Sequence, residues 1–224
     1  MKVLGIIPAR YASTRFPAKP LADLNGQSMI NRVFIQASKS KSLSKIIVAT
    51  DHPEIVEHVL RFGGNVCMTS ENHASGTDRC YEVLAKEQEV FDYVINIQGD
   101  EPFIAPTQID LLASLLDGTT ELATLIKKLE TQEQLTNPNV VKVVVNENKE
   151  AMYFSRSPIP YWRSKETDWV NQHPYYKHIG MYAYRSDVLK KITSLKVSSL
   201  EKAESLEQLR WLENGFKIKT AETT

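Results

Sequence analysis

The chain has 224 residues, 42 % of them hydrophobic, and its 27 basic and 27 acidic side chains cancel to zero net charge. That length buries a sizeable core, as one large α/β domain or two small ones. A neutral chain sets up no global field for nucleic acid or a membrane surface, no apolar run reaches a bilayer's thickness, and Met1-Lys2 leads into a strand without a signal peptide, so neither partner is expected.

Cys67 and Cys80 are the only cysteines and form no Cys-x-x-Cys pattern, which argues against a zinc site or a disulfide scaffold. Two free thiols fit a reducing cytoplasm. The first predicted element is a short apolar strand over residues 3–7. It runs into Pro8-Ala9-Arg10-Tyr11-Ala12-Ser13-Thr14-Arg15-Phe16-Pro17-Ala18-Lys19-Pro20-Leu21, where Arg10, Arg15 and Lys19 follow one another with no carboxylate before Asp23. Pro8, Pro17 and Pro20 fix φ and keep this stretch from becoming a helix. Ligands of open α/β sheets bind outside the carboxyl ends of strands. Two guanidinium forks and an ammonium there suit a nucleoside triphosphate. The loop is neither a Walker A sequence nor a Gly-x-Gly-x-x-Gly fingerprint. The bland alternative, a solvated basic turn, stays open on the residues alone.

A helix is predicted over 28–38, with Ser28 as its cap, then a buried strand over 45–50. Asp51, just past that strand, reads as a cap for a helix over 54–62 or as a ligand contact; Gly63-Gly64 stops the helix. A third short strand covers 66–68. Ser75-Gly76-Thr77-Asp78-Arg79 opens a helix over 78–86, and is either an ordinary capped start or a set of backbone N–H groups for a base carbonyl or phosphate.

A strand over 91–97 delivers Gln98-Gly99-Asp100-Glu101-Pro102. A carboxylate past a buried strand, beside a cationic loop on the same sheet edge, is placed to hold Mg²⁺, which takes one or two carboxylates plus phosphates and water. Gly99 lets backbone come close to a ligand. The alternative is a surface turn with Asp100 bonded to its own backbone.

The second half reads as a helix over 106–116, a strand over 121–127, a short helical piece from 131, and strands over 140–145 and 151–154. Residues 159–174, with Trp162 and Trp169, read as a long loop acting as a lid or an intersubunit arm. Residues 175–185 alternate in part like a strand and carry Lys177, His178 and Arg185, which admits an acid-binding role. A helix is predicted over 200–214; Glu207 and Gln208 on it point about 100° apart, with an exposed charged face as the default. A last strand covers 216–220. Strand-helix alternation gives an α/β fold with a mainly parallel sheet and helices on both faces.

Several of these stretches carry a resemblance that extends from residue 3 to about 212. Ile-Pro-Ala-Arg-Tyr-Ala-Ser-Thr-Arg-Phe-Pro-x-Lys-Pro-Leu, Ser-Gly-Thr-x-Arg, Asn-x-Gln-Gly-Asp-Glu-Pro, Asn-Pro-Asn-x-Val-Lys-Val-Val, Tyr-Phe-Ser-Arg, His-x-Gly-x-Tyr-x-Tyr-Arg and Leu-Glu-Gln-Leu-Arg are all present. The chain resembles the sugar-acid cytidylyltransferases, and among them those that act on 3-deoxy-D-manno-octulosonate (Kdo) in lipopolysaccharide-making bacteria. The resemblance implies a nucleotide-diphospho-sugar transferase type of fold in one domain over 1–224, with an excursion near 151–185 for the sugar side and a homodimer contact. It implies CTP and Kdo as substrates and Mg²⁺ as cofactor. By resemblance, Pro8, Ala9, Arg10, Arg15 and Lys19 hold the triphosphate, and Ser75, Gly76 and Arg79 the cytidine side. Asp100 takes the metal, with Glu101 structural. Gln98, Arg156, His178, Glu207 and Gln208 take the sugar acid. The family's pattern continues into Gly-x-Asp-Thr/Ser, whose Asp is a second metal carboxylate. The chain here ends at Thr224 without it, so the expectation is a chain cut short or a form that does not complete its metal site. A cytidylyltransferase for an N-acylneuraminate and a non-catalytic nucleotide or sugar-acid binder stand as alternatives.

Overall fold

The structure is a computed structural model that describes residues 1–12, 17–164 and 167–224. Its first half alternates strand and helix: β1 (Val3–Ala9), α1 (Met29–Ala37), β2 (Lys45–Thr50), α2 (Pro53–Arg61), β3 (Val66–Met68), α3 (Gly76–Lys86), β4 (Tyr93–Asn96) and α4 (Pro106–Ala113). The second half contains β5 (Leu122–Lys128), α5 (Gln132–Thr136), β6 (Lys142–Val145), β7 (Ala151–Ser155), β8 (Tyr176–Arg185), α6 (Ser186–Thr193), α7 (Ser199–Glu204), α8 (Gln208–Glu213) and β9 (Ile218–Glu222).

The nine strands of the described residues join one sheet, with the main order β3-β2-β1-β4-β8-β5-β9 and with β6 paired to β7 and β8. Among the described residues, β8 alone on the main path runs against the others. The sheet is therefore mixed but mostly parallel, as the alternation predicts. The two-residue period of β1 sorts its side chains: Leu4 and Ile6 enter one core with α3, α6 and α8 residues such as Cys80, Leu189 and Trp211. Val3 and Ile7 enter the other, with Ile30 and Val33 of α1, Ile55 of α2 and Ile109 of α4. Helices thus cover both faces.

That division locates the ligand crevice. The chain steps outward from β1 to β2 to β3 with α1 and α2 on one face, then returns through α3 on the other face to place β4 on the far side of β1. The carboxyl ends of β1 and β4 are a topological switch point, where the connections part and leave a cleft. Gly99 closes the distance between the two departing loops: a Cβ there would overlap the Pro8 carbonyl oxygen. Gly99 therefore serves a backbone-to-backbone approach, where the sequence suggested an approach to ligand.

Three elements differ from expectation. The helix expected over 200–214 is two helices, because Ser205 adopts φ 52° and caps α7 in the left-handed region. The turn lets Leu206 enter the core and aims Glu207 at the start of α3. Helix α6 has no counterpart among the predicted elements, although Val188, Leu189 and Ile192, which it buries, stand at helical spacing. The described part of the 159–174 loop is docked: Val170 and Tyr175 form a small third core with Leu129 and Leu135, and Trp169 packs against it. Tyr175 Oη donates to Pro160 O at 3.0 Å, and Gln132 Oε1 accepts from Trp169 N at 3.1 Å.

Gly99→Ala should lower the melting temperature by about 3–10 °C, the cost of overpacking one methyl against backbone. Gly180→Ala, whose nearest neighbour would lie 3.8 Å away, should leave it nearly unchanged. Equal melting temperatures for the two variants in a thermal scan would contradict the close approach.

Candidate functional site

A cavity of about 520 Å³ opens at the switch point, lined by Pro8, Ala9, Arg10, Lys19, Pro20, Ala74, Ser75, Gly76, Gln98, Gly99 and Asp100. Three sequence segments thus converge: the loop after β1, the start of α3 and the loop after β4. Each supplies a different chemistry.

The loop after β1 supplies positive charge. Arg10 is exposed and its Nη2 donates to the His73 carbonyl. Lys19 begins a 3₁₀ turn, Lys19–Leu21, preceded by Ala18 in the left-handed region with φ 55°. Its Nζ lies 2.6 Å from Asp100 Oδ2, with the two side chains 38 % and 53 % exposed. The ammonium and the carboxylate expected from two distant loops therefore share one wall. Arg15 lies outside the described residues.

The start of α3 is built by a capping box: Ser75 Oγ accepts from Asp78 N at 3.1 Å, and Asp78 Oδ2 accepts from Ser75 N at 3.1 Å. Gly76 packs against Asn96 and Pro8, where a Cβ would sit at 3.5 and 3.6 Å. From the loop after β4, Gln98 Nε2 donates to Gly180 O at 2.5 Å, which ties the cavity floor to β8.

The donor set fits a hard cation in one respect. Among the described residues no three His, Cys, Asp or Glu side chains gather as a metal cage. Asp100 is one exposed carboxylate beside cations that suit phosphate, which is the donor set Mg²⁺ uses with nucleotides. Glu101 is a poorer donor: burial and the Asp100 charge push its carboxyl above the usual range.

Other expected site residues do not line this cavity. Arg79 is wholly buried, with one guanidinium nitrogen donating to Thr69 Oγ1 and another 2.9 Å from Asp51 Oδ2. Asp51 is not the cap of α2 either, because His52 Nδ1 accepts from Glu54 N there. Arg156 is committed to backbone, donating to Glu204 O at 2.7 Å and Pro138 O at 3.1 Å. Arg185 pairs with Asp187 at 2.6 Å beside the amino end of β4, the opposite end of the sheet. Glu207 is not on an exposed charged face: its Oε2 accepts from Thr77 Oγ1 at 2.8 Å, and burial holds its carboxyl above the usual range. Gln208, beside it, is 5 % exposed. His178 sits between Phe154 and Tyr182, with Nε2 3.1 Å from Thr124 Oγ1. Burial lowers its pKa to about 3, so it meets a ligand as a neutral hydrogen-bonding ring and not as a cation.

Sequence reasoning missed a polar group behind Gly76. Thr77 Oγ1 and Asn96 Nδ2 both lie 3.4 Å from Tyr184 Oη. Asn96 Oδ1 and Tyr182 Oη are buried without a hydrogen-bond partner. The two-residue spacing of His178, Gly180, Tyr182 and Tyr184 was the available signal. Lys142 was missed too; it is wholly buried, and its Nζ donates to the Asn137, Val140 and Arg156 carbonyls at 2.6–2.9 Å.

Comparison with known proteins bears on this geometry. A family model described as cytidylyltransferase matches residues 4–218. The chain is 56 % identical over 226 residues to a 3-deoxy-manno-octulosonate cytidylyltransferase of Cytophaga hutchinsonii, covering all of this chain and 90 % of that one. It is 58 % identical to a protein of the same name from Bacteroides thetaiotaomicron, over 98 % of this chain and 89 % of that one. The solved structure of a CMP:2-keto-3-deoxy-manno-octonic acid synthetase complexed with CTP matches with a TM-score of 0.93 and 44 % identity, covering all of this chain and 90 % of that one.

The buried imidazole of His178 makes a pH prediction. Its folded pKa of about 3 lies below the unfolded value of 6.5, so the unfolded chain binds the extra proton between them. Its contribution to stability is complete above pH 6.5 and is lost as pH falls toward 3. NMR of the ring should show it neutral down to about pH 4. A midpoint near 6.5 would contradict the burial.

Proposed function

The chain belongs to the cytidylyltransferase family, and we infer that it transfers CMP from CTP to the anomeric hydroxyl of Kdo, releasing pyrophosphate. The observation that carries this is the shared wall of Lys19 and Asp100 at the switch point, in a chain more than half identical to relatives named for that reaction. The relatives' names favour Kdo over an N-acylneuraminate, and a transferase over a binder without catalysis. The product, CMP-Kdo, serves lipopolysaccharide biosynthesis.

Transfer needs the sugar hydroxyl, the α-phosphorus and the departing pyrophosphate in line. Lys19 Nζ, which neutralises Asp100 in the ligand-free protein, turns to a phosphate oxygen when the triphosphate enters. Arg10 offers its guanidinium fork beside it, with Arg15 as a third cation, and together they stabilise charge as pyrophosphate departs. Pro8, Ala9, Ser75 and Gly76 present backbone to the nucleotide. Asp100, once freed of Lys19, would hold Mg²⁺. That ion, when bound, would polarise phosphate oxygens and make a hydroxyl beside it more acidic.

The sugar acid is assigned to the flank beyond Gln98, toward His178, Glu207 and Gln208. His178 contributes a hydrogen bond, and the sugar's carboxylate takes its positive partner elsewhere in the site. Arg79 acts on this site through the Asp51 carboxylate, and Arg156 through the backbone carbonyls it holds. The proposal further includes a homodimer, supported by the large apolar side chains Met152 and Tyr161, exposed by 61 % and 76 %. It includes a cytoplasmic location, supported by the free Cys67 and Cys80. No helix of the described residues is long and apolar enough to cross a membrane.

Pyrophosphate release measured with CTP, Mg²⁺ and each of several sugar acids tests the reaction; Kdo should be the preferred acceptor. Asp100→Asn should cut turnover by about a thousandfold with the fold intact. Turnover within tenfold of the parent would remove Asp100 from the metal. Lys19→Ala should raise KM for CTP about tenfold while leaving KM for Kdo within about twofold. A rise confined to the Kdo KM would overturn the triphosphate assignment.

A further inference from the structure

Asp51 has no place among the cavity's lining residues, yet it is bonded on both sides. Its Oδ2 lies 2.9 Å from Arg79 Nη2, in a pair whose side chains are 0 % and 10 % exposed. Its Oδ1 accepts from the Tyr11 backbone N–H at 3.1 Å. The other backbone group of Tyr11 is also engaged, because its carbonyl accepts from Ala18 N at 2.9 Å. Arg10 immediately precedes Tyr11, and Lys19 immediately follows Ala18. One carboxylate is thereby coupled to both described cations of the cavity, on the two sides of the loop that separates them. The Tyr11 ring adds a second contact, stacked on His52 at 3.6 Å between centroids.

We propose that Asp51, fixed by buried Arg79, is a positioning residue that holds Arg10 and Lys19 in place for the triphosphate through the two backbone groups of Tyr11. The inference rests on the triphosphate reading above. Its physical basis is the difference between anchor and tether. Arg79 and Asp51 form a nearly dry ion pair, and removing one partner strands a buried charge. Among the described residues of the loop, Ala18 takes a left-handed conformation unfavourable without glycine. Such a segment holds its shape only where surrounding structure determines it. Asp51 links the rigid element to the strained one. The long, exposed side chains of Arg10 and Lys19 then have fixed origins, which reduces what the triphosphate must order on binding.

The test is Asp51→Asn. An amide has one acceptor oxygen, so it serves Arg79 or Tyr11 N–H and turns an NH₂ toward the other donor. Two readouts are taken: amide exchange of Tyr11 and Ala18 without ligand, and calorimetric affinity for CTP and for CMP. The expected result is faster exchange at both amides, with CTP affinity lowered roughly tenfold and CMP affinity within about twofold of the parent. Unchanged exchange would show that no tether exists. Faster exchange with CTP affinity retained, or CTP and CMP weakened alike, would overturn the positioning role. Asp51→Glu keeps both acceptors and the charge while displacing them by one methylene; it should show the same selective loss, and it decides the matter if the Asn variant does not fold. A parent protein that fails to bind CTP refutes the underlying reading, an outcome visible before any variant is made.

Discussion

Two parallel strands end side by side, and the chain leaves them in different directions with almost no space between the departing backbones. Gly99 against the Pro8 carbonyl is the contact on which the site depends. It brings residues 81 positions apart to an ion pair, Lys19 to Asp100 at 2.6 Å. The pair is half open to water, so its own contribution to stability is small, on the order of 0–1 kcal/mol. That weakness suits its task. A pair that contributes little is readily exchanged for charge-assisted contacts to phosphate, which are about twice as strong as neutral hydrogen bonds.

The molecule separates exchangeable charges from fixed ones. Arg10, Lys19 and Asp100 line the cavity and reach water. Arg79, Lys142 and Glu207 lie behind or away from it, held by the protein: Arg79 by Asp51 and Thr69, its Nε without a partner among the described residues, Lys142 by three carbonyls, Glu207 by Thr77. Burial lowers the pKa of Lys142 and raises that of Glu207, the direction expected when water is removed from a charge. Fixed charges of this kind are costly alone, and hydrogen-bonded partners offset that cost. Arg156 shows the logic at a turn: its backbone carbonyl accepts from Lys142, and its guanidinium bonds the Glu204 carbonyl where α7 gives way to α8. The break at Ser205 then directs Glu207 back to Thr77 at the head of α3.

Much of this was legible in the sequence because its signals are local. Apolar runs, capping residues and glycine stops placed α1, α2, α3 and the parallel strands within a few residues. The cationic loop and Asp100 were legible as partners because open sheets gather ligands at one edge. What escaped was set by contacts distant in the chain. No local pattern shows that Arg79 is buried, since an arginine at the fourth position of a helix reads as solvated; its pairing with Asp51 spans 28 residues. The left-handed Ser205 is unfavourable for a residue other than glycine and is held by the packing of Leu206. His178 was legible as a strand residue with Tyr182 on the same face, but its neutral state follows from burial that includes Phe154, which only the folded sheet brings to it.

On the reading proposed above, the Lys19–Asp100 pair is the ligand-free form of a site for a metal-bound triphosphate. A crystal structure of this protein with CTP and Mg²⁺ tests it most directly. In that complex the 2.6 Å contact should be broken, with Lys19 Nζ on a phosphate oxygen, Asp100 on the ion and the triphosphate lying between them. A complex in which Lys19 stays on Asp100 while the nucleotide binds elsewhere would contradict it.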